Sequence, residues 1–318
     1  MKTTANPPVA KASIDSQLTR ALRGGFALTA EIVPPLSGNP EDFLKLLDPF
    51  KGHVDAVNLA DSAGGKVRLP GLACSALMKS QGVEPVLQVT CRDRNKIALI
   101  SDLLGAGAIG VQNLLVLRGD NLDEEKQADI TSVHDVAPTD LIDIVSTLSN
   151  TGVIPNEEKT VTSPPQFLIG AADMPNQCDE PWWGDALNKK VGAGARFVQT
   201  QLTYDLKAIS YYAEKLQEIG LSGKIFILIG TGPLASAKSA LWMRENLYGV
   251  DVPDEIVTRL QEADDPKQEG IKICAEILQH IAQIPSLHGA HLMAPGNNAS
   301  IPKAILLSEV SKQGSLSA

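Results

Sequence analysis

The sequence predicts a single (β/α)8 barrel. Three observations predict it: eight short apolar runs, helical patterns between them, and no Gly/Ser-rich or charged linker dividing the 318 residues. In order, the runs are 26–33 (FALTAEIV), 54–60 (VDAVNLA), 84–91 (EPVLQVTC), 111–118 (VQNLLVLR), 165–171 (PQFLIGA), 195–202 (ARFVQTQL), 224–230 (KIFILIG) and 287–293 (LHGAHLM). Apolar spacing switches to the helical period at 40–50, 66–81, 94–106, 138–149, 182–192, 206–219, 234–247 and 267–283.

These limits place the barrel at 21–303, after a partly disordered extension at 1–20 and before a tail at 304–318. Two long connections remain, an acidic one at 119–137 and one at 249–266 around a short helix. Loops of such length in a compact domain are usually binding elements or lids.

Composition excludes several classes of function. A hydrophobic content of 43% supports a large core. A net charge of −9 argues against nucleic-acid or anionic-membrane surfaces. Cys74, Cys91, Cys178 and Cys274 are scattered with neither zinc nor disulfide spacing, which fits reduced thiols and a cytoplasmic protein. No metal site is read from the sequence. The N-terminus lacks a signal-peptide core, and no apolar run is long enough to span a membrane.

In such a barrel the site forms at the C-terminal strand ends. Those ends carry Glu31, Asn58 with Asp61, Gln88 with Thr90, Arg118-Gly119-Asp120, Asp173, Gln201, Thr231 and Asn297-Asn298. Acids, amides and one arginine suit a large ligand with many hydrogen-bonding edges better than hydrolysis through a triad. Glu31, flanked by apolar residues, loses solvation as a strand residue, which favours its protonated form and suits it to donate a proton. It reads equally as a strand-end glutamate paired with a lysine or arginine. Arg118 and Asp120 read either as ligand groups or as a salt bridge beside a turn glycine. Gln201 reads either as a bidentate partner of a ring amide or as an inward glutamine satisfied by neighbours. Gly64-Gly65 lacks the spacing of a phosphate loop and reads as a turn; Gly192-Ala193-Gly194 reads as a helix C-cap. Trp182-Trp183 reads as packing at a helix start or as a flank for a planar ligand. The five histidines fall in no catalytic pattern, and His134 is expected at the surface.

At these residues the chain resembles the methylenetetrahydrofolate reductase family. The matching pieces are Glu31 before Pro34-Pro35, Gln88-Val89-Thr90-Cys91, Leu117-Arg118-Gly119-Asp120, Lys189-Lys190-Val191 into Gly192-Ala193-Gly194-Ala195, Thr200-Gln201 with Tyr204-Asp205, and 230–233, collinear from Phe26 to Met293. The resemblance implies a (β/α)8 barrel that interconverts 5,10-methylenetetrahydrofolate and 5-methyltetrahydrofolate, with FAD relaying hydride from NADH or NADPH. It implies Glu31 as general acid and Asp120 as the anion facing a folate cation. Gln201 matches the pterin-binding glutamine, with Asn297 also placed on the substrate side. Thr90, Arg118, Gly119 and Lys190 fall where the family binds FAD, and Asn58, Gln88, Ala171 and Asp173 are assigned with them. A departure stands at 172–177 (ADMPNQ), where the family's flavin segment is rich in Pro, Glu and His. The alternatives are a tetrahydrofolate-dependent methyltransferase, a flavin-independent homologue, or a non-catalytic folate-binding subunit. Association as a homo-oligomer or with a redox partner subunit is compatible with all of these.

Overall fold

The computed structural model describes residues 14–122, 127, 129–155 and 157–310. Residues 1–13 of the expected extension, five positions of the acidic loop (123–126 and 128) and the tail from 311 lie outside the described residues.

Each apolar run yields one strand: β1 (Ala27–Ile32), β2 (Ala56–Leu59), β3 (Pro85–Thr90), β4 (Asn113–Leu117), β5 (Leu168–Asp173), β6 (Phe197–Leu202), β7 (Phe226–Thr231) and β8 (Gly289–Leu292). They close into a parallel barrel in sequence order, β8 pairing with β1 through Ala27↔Gly289 to Ala30↔Leu292. Strands β5 and β7 run past the expected ends by two residues and one residue.

Eleven helices are present among the described residues: α1 (Gln17–Gly24), α2 (Pro40–Leu47), α3 (Gly71–Ser80), α4 (Lys96–Ala108), α5 (Pro138–Thr151), α6 (Trp183–Ala193), α7 (Leu206–Glu218), α8 (Ala237–Asn246), α9 (Asp254–Glu262), α10 (Pro266–Gln283) and α11 (Ile301–Ser308). Gly194 caps α6 with φ 129°, as its position in the sequence suggested. Helix α9 is the short helix expected within 249–266. Among the described residues no helix is long and apolar enough to cross a membrane.

The expected boundaries at residues 20 and 303 both cut through helices. Helix α1 starts at Ser16, whose Oγ accepts the Thr19 N–H (3.0 Å) and donates to Asn113 Oδ1 (2.7 Å). Asn113 in turn donates to Glu84 Oε1 (2.9 Å), fastening the helix beneath β3 and β4. Its buried face, Leu18, Ala21 and Leu22, follows Ile14 at helical spacing. That face packs on the inward side chains Ala27, Ala56, Val86, Leu115, Leu168, Phe197, Phe226 and Leu228. The N-terminal end of the barrel is thus plugged. At the other terminus, α11 buries Ile301, Ala304 and Ile305 against α10.

A second, larger apolar cluster lies between the strands and the helices. Strand residues alternate between the two, since successive side chains point to opposite faces. Gly170 occupies an inward position on β5, where a Cβ would come within 2.3 Å of the Phe197 ring. Its neighbours Ile169 and Ala171 belong to the outer cluster.

His288, at the foot of β8, accepts the Ile227 N–H through Nδ1 (3.1 Å) and meets the Phe226 ring edge-on at 5.1 Å. Burial pushes its imidazole down from 6.5 to about 4. The unfolded chain therefore takes up a proton that the folded chain refuses, and stability falls as pH drops between those values, by about 3 kcal/mol in all. Denaturant titrations between pH 7 and pH 4 are expected to show this slope, and His288→Gln to flatten it.

Candidate functional site

The site grows from the barrel interior outward. Its deepest polar layer joins four strands. Asn58 on β2 and Gln199 on β6 exchange two amide hydrogen bonds across the barrel, Nδ2 to Oε1 at 2.6 Å and Nε2 to Oδ1 at 3.0 Å. Gln199 Nε2 also donates to Thr29 Oγ1 on β1 (2.9 Å), and Thr29 Oγ1 lies 2.9 Å from His291 Nδ1 on β8. All four residues are buried, so these bonds offset the cost of bringing amides and an imidazole into the interior.

Glu31 stands above this layer, two residues along β1 from Thr29. Its Oε2 accepts the Gln88 Nε2–H from β3 at 2.6 Å and lies 3.7 Å from His291 Nε2. With 21% of its side chain exposed, Glu31 keeps part of its solvation and opens to the mouth. Of its two expected roles, pairing with a lysine or arginine is not seen among the described residues: the neighbours on Oε2 are an amide and an imidazole.

The rim on the β2–β4 side is tied by arginines. Asp61 accepts both the Thr90 N–H (2.8 Å) and the Thr90 hydroxyl (2.9 Å), and pairs with Arg94, which also reaches Asp102 at 2.9 Å. Arg92, 1% exposed, donates to Ser62 O (2.9 Å) and Asp120 O (3.2 Å). Gly119 takes φ +91°, and a Cβ there would meet that of Arg92 at 2.8 Å. Close approach of β4 to the arginine, together with the left-handed backbone, requires the glycine. Asp120 Oδ2 accepts the Gly64 N–H (2.7 Å), so the Gly64-Gly65 turn holds this acid in place. Arg118 is exposed, with Asn121 Oδ1 at 2.8 Å.

On the β5–β7 side, Gln201 Nε2 donates to Tyr248 O (2.9 Å) while its Oε1 accepts the Leu202 N–H (2.9 Å). Both ends of this amide are engaged by the chain. The Tyr248 hydroxyl accepts from Gln177 Nε2 at 3.2 Å, linking two mouth loops above Gln201. Lys190 on α6 donates to Ala172 O (2.7 Å) at the end of β5.

Four residues assigned from the sequence do not reach the mouth as expected. Asn58 is spent on Gln199 in the barrel interior. Ala171 faces the outer cluster because β5 alternates outward there. Asp173 shares that parity: its carboxylate accepts the Trp183 indole N–H (3.0 Å) and the Tyr212 hydroxyl (2.7 Å) between strand and helices. Burial pushes the Asp173 carboxyl up, opposed by the Tyr212 hydrogen bond and by Lys190. Trp183 is accordingly a packing residue. Asn297, also buried, donates to Pro233 O (3.3 Å) in the β7–α8 loop and accepts from Ser300 Oγ (2.7 Å) in its own, which satisfies its amide within the chain.

His291 is the residue that reading the sequence missed. The signal was its parity: in LHGAHLM it lies two residues after Gly289, the inward partner of Ala27. His134 is exposed, as expected.

Fold and rim together define a (β/α)8 protein with an acid held at the mouth by an amide and an imidazole. A family model for methylenetetrahydrofolate reductase matches residues 16–308, and the chain belongs to that family. A probable methylenetetrahydrofolate reductase (NADPH) of Caenorhabditis elegans is 25% identical over 244 residues, covering 74% of this chain and 34% of that protein. Methylenetetrahydrofolate reductase 1 of Schizosaccharomyces pombe is 24% identical over 266 residues, covering 79% and 41%. The chain thus spans about a third to two-fifths of the length of these relatives. Among solved structures, a Clostridium thermocellum protein described as binding two copies of 5-methyl-5,6,7,8-tetrahydrofolic acid superposes with a TM-score of 0.64 at 14% identity. The match covers 93% of this chain and 99% of that one, and is a likeness of fold.

Replacing Asp173 by Ala is expected to leave the Trp183 N–H and the Tyr212 hydroxyl buried without a partner, at about 1–3 kcal/mol for each. A thermal melt should register the loss while ligand affinity at the mouth stays unchanged. Lost affinity at unchanged stability would return Asp173 to the site.

Proposed function

We propose that the chain interconverts 5,10-methylenetetrahydrofolate and 5-methyltetrahydrofolate, with FAD linking the folate to NADH or NADPH. One observation carries this reading: Gln88 holds one carboxylate oxygen of Glu31, and among the described residues no hydrogen bond reaches the other. An acid so held can deliver a proton in a fixed direction, the requirement for general acid catalysis.

In this reading Glu31 donates a proton from Oε1 to the folate nitrogen that leaves as the five-membered ring opens. The one-carbon unit is then an iminium cation on the remaining nitrogen. Asp120, fixed by the Gly64 N–H, supplies the anion that stabilises this charge without reorganising. Gln201 orients the pterin by exchanging its bond to Tyr248 O for a ring edge.

The fit to FAD rests on the chemistry of the rim donors. The exposed Arg118 guanidinium, the open backbone at Gly119 and the Lys190 ammonium suit an anionic group with many acceptor edges, whereas Thr90 would first have to release Asp61. When bound, FAD supplies the hydride that completes the methyl group. Asn58, Ala171 and Asp173 add nothing to this set. The silent end of β5 supports a second reading, folate chemistry without tightly bound flavin.

Purified protein is expected to form 5-methyltetrahydrofolate from methylenetetrahydrofolate and a reduced nicotinamide nucleotide. Glu31→Gln should lower turnover by about 10²–10⁴-fold with folate binding retained. Unchanged turnover would remove Glu31 from the chemistry. An absorbance spectrum separates the two readings: a flavin band supports the first, and turnover by colourless protein the second.

A further inference from the structure

Donor and acceptor bookkeeping in the buried layer fixes a proton that the reading above leaves unassigned. Gln199 Nε2 has two hydrogens. One goes to Asn58 Oδ1 and the other to Thr29 Oγ1, leaving none for His291 Nδ1, which lies 3.3 Å away. Thr29 Oγ1 therefore accepts from Gln199 and must use its own hydrogen as a donor. That hydrogen can go to His291 Nδ1 at 2.9 Å or to Ala290 O at 3.4 Å. The second choice would make Nδ1 the donor and turn a bare Nε2 lone pair toward the Glu31 carboxylate, so the first is favoured. His291 Nδ1 is then an acceptor, so the ring hydrogen sits on Nε2, the nitrogen that faces Glu31 Oε2.

The distance of 3.7 Å is longer than a hydrogen bond, so the effect of the Nε2–H on Glu31 is electrostatic. It acts on the same oxygen that accepts the 2.6 Å bond from Gln88. Two N–H groups aimed at Oε2 make it the wrong place for a proton, because a hydroxyl there would set hydrogen against hydrogen. Among the described residues, no hydrogen-bond donor reaches Oε1.

We infer that His291 is a positioning residue for Glu31: held by Thr29 in its Nε2–H form, it acts with Gln88 to reserve Oε2 as the acceptor oxygen and leaves the transferable proton on Oε1. This rests on the assignment of Glu31 as the acid in the reading above. Because the tautomer is set from Asn58 and Gln199 through Thr29, the direction of proton delivery is built into the barrel interior rather than into the groups of the mouth.

Nitrogen NMR of the histidine rings in the full chain reads the tautomer directly and needs no turnover. The expected result is the Nε2–H form for His291, with the preference lost in Thr29→Val, which removes the hydroxyl donor while keeping shape. Steady-state kinetics supply the second arm. His291→Phe should lower kcat at least 10-fold with the KM for folate unchanged, and His291→Gln, which retains an N–H, should recover most of it. A purely structural role would move stability and KM together and would show no rescue by Gln. An Nδ1–H form in the unaltered chain, or equal kcat for Phe and Gln, overturns the inference. The Nε2–H form with its dependence on Thr29, in a chain that reduces no folate, overturns the reductase reading and leaves the placement of the ring proton standing.

Discussion

The reciprocal amide pair between Asn58 and Gln199 is the interaction on which the rest of the site depends. Barrel interiors are ordinarily filled by apolar layers, and the lower layer here conforms, with Phe197, Phe226 and Leu228. A pair of carboxamides in the next layer costs roughly 2–7 kcal/mol per unpaired amide. Two short mutual bonds offset that cost only if both side chains stay in one orientation. Once oriented, Gln199 dictates what Thr29 does with its hydroxyl, and Thr29 dictates the face His291 presents to Glu31. The chemistry of the mouth is set from beneath, by residues that touch no ligand.

The rim is built differently on its two sides. Around β2, β3 and β4, Asp61, Arg92 and Arg94 bind backbone and carboxylates at several points, so Asp120 and Thr90 are held by charge-assisted bonds. Around β5 to β7, Gln201 is held through a carbonyl of the α8–α9 loop, and that loop meets its neighbour through the Tyr248–Gln177 contact. Asp120 thus sits on the braced side, whereas Gln201 belongs to the side with fewer ties. In the proposed reaction, charge would develop beside Asp120, where pre-organisation matters most.

Much of this was legible in the sequence, for identifiable reasons. All eight strands announced themselves because a barrel strand buried on both faces is a continuous apolar run. Glu31, Arg118 and Gly119 were legible because charge and glycine break those runs at the rim. What was lost turned on parity and on short helices. Ala171 and Asp173 stand at the end of a strand, which in the sequence reads as the mouth; their parity turns them outward, and Gly170 at the inward position carries no side chain to mark it. His291 forms no catalytic pattern with the other histidines, and its inward neighbour Gly289 marks the parity no better. Helix α1 lies outside the strand–helix alternation that reveals the other helices, so Ser16 and the 14, 18, 21, 22 spacing stand alone before the first strand. The bonds within the amide layer lay beyond any single-strand reading, because they join residues 29, 58, 199 and 291 that only closure of the barrel brings together.

The plug formed by α1 gives the barrel a blind end. Leu18 and Leu22, seated on the lowest ring of inward side chains, leave one doorway, at the C-terminal strand ends. The amide layer thus lies between two unlike halves, a dry apolar plug beneath it and the partly exposed Glu31 above it. Water reaches the polar interior from the Glu31 side, which gives the barrel axis a direction that its near-symmetric ring of strands does not have.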